Sequence, residues 1–208
     1  MTGIREEFCL LARSLFERGY SCGSSGNISV QTDDGILVSP TNSCMGRLDP
    51  ARLSRVAPDG THLDGDPPSK EASLHLAMYE AQPEMRSIVH LHSPYAVAVS
   101  CLADLDPEDA LPPITPYYVM RIGRLPLVPY YPPGDDMLAN AVRSAARNAK
   151  AVLLANHGPV VAAKTLPGAV YAAEELEETA KLYLMLRGAS TRLLTPDQVA
   201  VLRERFPS

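Results

Sequence analysis

Two histidines separated by one residue, His90 and His92, stand in the run SIVHLHS. On an extended strand, residues i and i+2 project from the same face, so two imidazoles there could hold one ion. Neutral imidazole is a favoured ligand of zinc. The pair alone is equally consistent with two hydrogen-bonded core histidines. A third histidine, His157, ends the apolar run LLANHGPVV beside Gly158 and Pro159, where an exposed ligand would be placed. Glu71 opens a helix after DPPSK. Its carboxylate could face a cleft, or be an ordinary helix-start charge favoured by the helix dipole. Three neutral imidazoles and a carboxylate fill a tetrahedral shell, whereas a catalytic zinc usually keeps one position open. The carboxylate is the natural ligand to leave, and beside the metal it would serve as a general base. His62 reads as a loop residue and His75 as a helix-packing residue.

A second set of residues suits an anion. Gly23 to Asn27 form a small-residue turn whose backbone amides can approach a phosphate. SPTNS, Ser39 to Ser43, adds hydroxyls and an amide. Ser69 and Lys70 stand at a helix N-terminus, where free N–H groups favour negative charge. Each segment alone is an ordinary turn or cap; three of them beside a metal set favour the functional reading.

These residues need elements to position them. Ile4, Phe8, Leu11 and Leu15 lie on one face of a helix capped by Thr2 and running to about Arg18, with Gly19 as its stop. GSSGNISV leads into a strand, and an Asp-Asp-Gly turn leads into a second, GILVSP. LDPARLSRVAPDG is mixed, with a turn at Asp59-Gly60, and DGDPPS is a loop. Ser69 reads as the cap of a helix over KEASLHLAMYEAQ. SIVHLHS reads as a buried strand and SPYAVAVSCLADL as a helix. Pro112 to Pro116 is a loop, and Pro126 to Pro133 a proline-rich strand and loop. DDMLANAVRSAARNAK is an amphipathic helix, AVLLANHG and PVVAA a strand pair, Pro167 to Arg187 a long helix and Pro196 to Phe206 a short one. Mixed hairpins and helical crossovers suggest a mixed sheet sandwiched by helices.

Composition narrows the class. The chain has 208 residues, 46% apolar and 21% charged, which suits one domain over 1–208. The net charge of -5 disfavours a nucleic-acid partner, although a local pocket can still hold a phosphate. None of Cys9, Cys22, Cys44 and Cys101 forms a CxxC pair, which disfavours a cysteine zinc cluster. The N-terminus lacks the apolar stretch of a signal peptide and no window suits a membrane span, so a cytoplasmic protein with no membrane partner is expected.

SGNIS, SPTNS, SKE, HLHS and NHGPV, in this order, resemble the motifs of the class II aldolase/adducin family, over about Gly23 to Leu186. LDPARLS, GDPPSKE, TPYYVM, PLVPYYPPGD and EELEETAKL resemble more narrowly a branch that decarboxylates phosphorylated four-carbon keto acids. The resemblance implies that His90, His92, His157 and Glu71 bind zinc and that Glu71 is also the base. It implies phosphate contacts at Gly26, Asn27, Thr41, Asn42, Ser69 and Lys70. Where the fuculose-phosphate type has Thr-Gly and Ser-Ser, this chain has Thr41-Asn42 and Ser69-Lys70. A family tyrosine donates a proton, which points to Tyr117 or Tyr118, with Tyr117 favoured. The implied fold is a three-layer α/β/α domain around a mostly antiparallel sheet, assembled as a homotetramer. The implied reaction removes carbon dioxide from a phosphorylated β-keto acid, with aldol cleavage or 4-epimerisation as alternatives. A non-catalytic adducin-like module is a further alternative, and would be expected to have lost metal ligands that are all present here.

Overall fold

A computed structural model describes residues 3–206. Helix α1 (Ile4–Glu17) precedes a hairpin of β1 (Asn27–Thr32) and β2 (Gly35–Val38), then two short 3₁₀ turns. Next come β3 (Ser54–Val56), β4 (His62–Asp64), α2 (Ala72–Ala81), β5 (Ser87–His90) and α3 (Pro94–Ser100). The second half holds α4 (Pro116–Arg121), β6 (Leu127–Val128), α5 (Asp136–Ala145), β7 (Ala151–Leu154), β8 (Gly158–Ala163), α6 (Leu166–Leu186) and α7 (Pro196–Arg205).

The strands form one eight-stranded sheet in the order β4-β3-β2-β1-β5-β8-β7-β6. Every neighbouring pair is antiparallel except β6 with β7. Alternation along the strands divides the core in two. Val89, Leu91, Leu153 and Val161 face Phe8, Leu15, Val99 and Leu176, the layer of α1, α3 and α6. Ile88, Val152, Leu154 and Val160 face Leu74, Met78, Leu138 and Val142, the layer of α2 and α5. The expected three-layer architecture with a mostly antiparallel sheet is therefore observed.

Local chemistry accounts for the helix starts. Thr115, Thr165 and Thr195 each precede the first turn of a helix with proline at its first or second position, and each side chain accepts a backbone N–H. Thr195 and Gln198 form a full capping box. The structure corrects several expectations. Helix α2 begins at Ala72 with Glu71 as its N-cap residue, because Ser69 and Lys70 first make a turn in which the Ser69 hydroxyl accepts from Glu71 N at 3.2 Å. Helix α4, initiated by the Thr115-Pro116 pair, starts at the end of the stretch Pro112 to Pro116 read as a loop and covers Tyr117 to Arg121, for which no element was expected. His62 lies in β4, not in a loop. Strand β5 ends at His90, so His92 lies beyond the ladder. Ile4, at the end of the α1 stripe, is left partly exposed rather than buried with Phe8 and Leu15. The Thr2 cap falls outside the described residues, and the N-cap residue of α1 is Gly3.

Candidate metal centre

The centre forms where β5 runs out beside the β7–β8 turn. Ile88 packs into the α2 layer, and the strand period of two carries His90 to that same side, toward the start of α2. Glu71, the N-cap residue of α2, meets it there. Just past the ladder, Leu91 N still donates to Pro159 O at 3.2 Å, which holds the HLH segment against the turn that carries His157. That approach requires glycine at 158: a Cβ there would lie 2.3 Å from the Leu91 carbonyl oxygen.

The three imidazoles point inward. Their Nε2 atoms lie 3.1 Å apart for His90 and His92, 3.3 Å for His90 and His157, and 3.2 Å for His92 and His157. Glu71 closes the fourth side, Oε1 at 3.1 Å from His157 Nε2 and Oε2 at 3.4 Å from His90 Nε2. Donors about 2.0–2.1 Å from a tetrahedral zinc are separated by about 3.3–3.4 Å, so the spacing suits one small ion. The tautomer of His90 suits it too. Its Nδ1 is 2.9 Å from Pro159 O, an atom that can only accept, so Nδ1 carries the proton and the Nε2 lone pair faces the centre. All four donor atoms lie within 4.8 Å of one another. The residues present therefore fit a divalent cation.

Burial shapes the charges. His90 is fully buried and His157 is 9% exposed. Burial pushes the His92 imidazole down to about 4, with the His90 and His157 charges acting in the same direction, so the neutral, ligating form prevails at neutral pH. Burial opposes ionisation of Glu71, but the adjoining His157 and His90 imidazoles and the Asn27 amide outweigh it and hold the carboxyl well below the usual carboxylate range.

The candidate phosphate residues divide between two places. A cleft of about 530 Å³ is lined by Gly23, Ser24, Thr41, Asn42, Arg47 and neighbouring residues. Thr41 N donates to Pro67 O at 2.9 Å and Ser69 N to Ser39 O at 3.1 Å, which ties the SPTNS loop to the segment before α2. Asn42 has φ 54°, a left-handed conformation that glycine adopts freely and asparagine better than most residues, so Thr41-Asn42 can trace the backbone of a Thr-Gly pair. Ser69 and exposed Lys70 stand at the start of α2, outside the lining of this cleft. Gly26 and Asn27 are buried nearer the metal centre, where Asn27 Nδ2 donates to Glu71 Oε2 at 2.8 Å.

The tyrosines separate cleanly. Tyr118 is 1% exposed and its hydroxyl is 3.3 Å from Leu111 O, which makes it a packed core residue. Tyr117 is 59% exposed and makes no hydrogen bond to the four metal-site residues.

Two contributors went unread in the sequence. Glu177, 3% exposed on α6, accepts from Ser93 Oγ at 2.7 Å, Tyr95 N at 2.8 Å and Ala96 N at 2.8 Å. It caps α3 in place of Ser93, directly after His92. A Ser-Pro start signals the helix, but nothing local signals a cap from 84 residues away. His75, expected only to pack, is fully buried and hydrogen-bonded to Ser29 and Asn27.

The sequence pattern of the Class II Aldolase and Adducin N-terminal domain matches residues 6–184. The chain is 52% identical, over 95% of its length and 91% of the relative's, to 3-oxo-tetronate 4-phosphate decarboxylase of Pectobacterium atrosepticum. It is 32% identical, over 90% of its length and 86% of the relative's, to L-fuculose phosphate aldolase of Escherichia coli. The crystal structure of YgbL from Escherichia coli superimposes with a TM-score of 0.94 at 50% identity, covering 96% of this chain and 97% of that one. No described helix is long and apolar enough to cross a membrane.

Proposed function

The chain belongs to the class II aldolase and adducin family, and from that premise we propose that it decarboxylates 3-oxo-tetronate 4-phosphate to dihydroxyacetone phosphate and carbon dioxide, with zinc as cofactor. The observation that carries this reading is the convergence of three imidazole Nε2 atoms within 3.1–3.3 Å around the Glu71 carboxylate. The identity of 52% to a decarboxylase, against 32% to a fuculose-phosphate aldolase, supports the branch.

His90, His92, His157 and Glu71 would hold the ion. A divalent cation supplies Lewis-acid stabilisation of the negative charge that develops on a ketone oxygen. The rest falls to the chain. The substrate is a β-keto acid, so breaking its carboxyl carbon–carbon bond leaves an electron pair delocalised into the carbonyl, and one proton must then reach that carbon. Glu71, held beside the centre by Asn27, is the proposed proton carrier. Tyr117 is the proposed donor, its side chain exposed and unattached to the core. The backbone and hydroxyls of Gly26, Thr41, Asn42 and Ser69, with Asn27 and Lys70, are the proposed phosphate cradle, which fixes the reacting carbon relative to Glu71. The family resemblance extends the proposal to a cytoplasmic homotetramer; exposed Tyr117 and Met185 are surface that a second copy would cover.

Product analysis with a four-carbon keto-acid phosphate, with and without chelator, tests the reading. Carbon dioxide in amounts equal to dihydroxyacetone phosphate, abolished by chelation and restored by zinc, is expected. An aldehyde released from a sugar phosphate, without carbon dioxide release from the keto acid, would replace the proposal with the aldolase reaction.

A further inference from the structure

We propose that His75 is a positioning residue that acts through Asn27 to set the orientation of Glu71, at the end of a buried hydrogen-bond chain of single polarity. The chain is continuous. The Tyr79 hydroxyl lies 2.8 Å from Ser29 Oγ, Ser29 Oγ lies 2.7 Å from His75 Nδ1, and His75 Nε2 lies 2.6 Å from Asn27 Oδ1. Asn27 Nδ2 then donates to Glu71 Oε2 at 2.8 Å.

Its direction follows from the two ends. A carboxylate only accepts, so the amide nitrogen of Asn27 faces Glu71 and the amide oxygen faces His75. That oxygen needs a donor, so His75 carries its proton on Nε2. Nδ1 is then an acceptor and takes the Ser29 proton, which leaves Ser29 Oγ to accept from Tyr79. His75, Ser29 and Tyr79 are buried, so water does not offer an alternative arrangement. Burial also pushes the His75 imidazole down to about 3, which keeps it neutral and preserves its acceptor nitrogen.

The consequence lies at the active centre. If the Asn27 amide turned over, its oxygen would sit 2.8 Å from the Glu71 carboxylate and the contact would become repulsive. His75 forbids that by occupying the Asn27 oxygen. Sequence position alone makes His75 a core residue four positions after Glu71; the contacts make it the anchor of the carboxylate that the proposed reaction uses. The catalytic consequence rests on the reading of Glu71 as ligand and base, whereas the hydrogen-bond polarity does not.

The test has two arms. In the ¹⁵N-labelled wild-type protein, imidazole nitrogen shifts report the tautomer: neutral His75 protonated on Nε2 is expected, and an Nδ1–H tautomer or an imidazolium at pH 7 would overturn the proposal. In the second arm, His75→Leu removes the donor while His75→Gln keeps an N–H near the ε position. His75→Leu is expected to bind Zn²⁺ roughly tenfold more weakly and to lower kcat by about ten- to a hundredfold with KM little changed, and His75→Gln to recover most of both. A folded His75→Leu variant with wild-type zinc affinity and kcat would overturn it, as would equal losses in the two variants. If the leucine variant does not fold, the tautomer decides. If the wild-type protein binds Zn²⁺ but shows no decarboxylation, the functional reading fails, while the tautomer and the metal titrations still judge the relay.

Discussion

Replacing Glu177 by alanine isolates the support beneath the candidate metal centre. The wild-type carboxylate accepts from one hydroxyl and two backbone N–H groups at 2.7–2.8 Å, and it is 3% exposed. Hydrogen bonds to a charged partner contribute about 1.5–3 kcal/mol each, and a buried donor left unpaired costs about 1–3 kcal/mol. The Ser93 hydroxyl can rotate to another acceptor, but the Tyr95 and Ala96 amides at the start of α3 cannot. The expected loss is therefore about 4 kcal/mol, at the upper end for one substitution. In a chain of this size that lowers the thermal midpoint by roughly 8–16 °C. Glu177→Gln keeps the shape and one carbonyl acceptor, so about half that loss is expected. Because α3 starts two residues after His92, zinc affinity should fall with stability, by roughly tenfold. Thermal and denaturant unfolding of the metal-free protein measures the first effect and zinc titration of the folded variant the second. A Glu177→Ala protein within about 0.5 kcal/mol of wild type would refute the reasoning, since surface substitutions without such a role fall in that range.

Two further outcomes follow from the same contacts. His92→Ala should leave a soluble protein that has lost most of its bound zinc and turnover, as read by metal analysis and product formation; retained metal with full turnover would remove His92 from the ligand set. Lys150 offers a pH test away from the centre. Its ammonium lies half-buried 3.3 Å from Met120 O, and burial, then the Lys164 and Arg121 charges, lower it from 10.5 to about 8. Between about 8 and 10.5 the unfolded chain binds more protons than the folded one, so this group makes stability rise with pH through that window, with its cost fully present below about 8. Lys150→Met should be more stable than wild type at pH 7 in denaturant unfolding, with the difference shrinking by pH 10. Parallel shifts of the two proteins with pH would contradict it.

The sequence by itself determined what local periodicity and residue chemistry determine. The spacing of His90 and His92 implied two imidazoles on one side, because strand geometry repeats every two residues. That convergence survives although β5 ends at His90, since Leu91 N still donates to Pro159 O and ties the segment to the β7–β8 turn. The apolar runs named the strands, the amphipathic runs named the long helices, and the ordered motifs indicated the family. Reading Ser69 as the helix cap missed by two residues, because a serine hydroxyl serves a turn as readily as a helix start.

Only the tertiary structure decided how the site is held. Glu71 comes beside His157 because α2 and the β7–β8 turn meet across the end of the sheet. Asn27 turns its amide to Glu71 because His75, 48 residues away, takes its oxygen, and α3 is capped by a carboxylate from α6. Tyr117 and Tyr118 are equivalent in sequence, and which of them packs into the core depends on the facing layers. Such contacts join groups far apart along the chain, and a buried polar atom takes whichever partner the packed layers bring within about 3 Å. No local pattern encodes that choice.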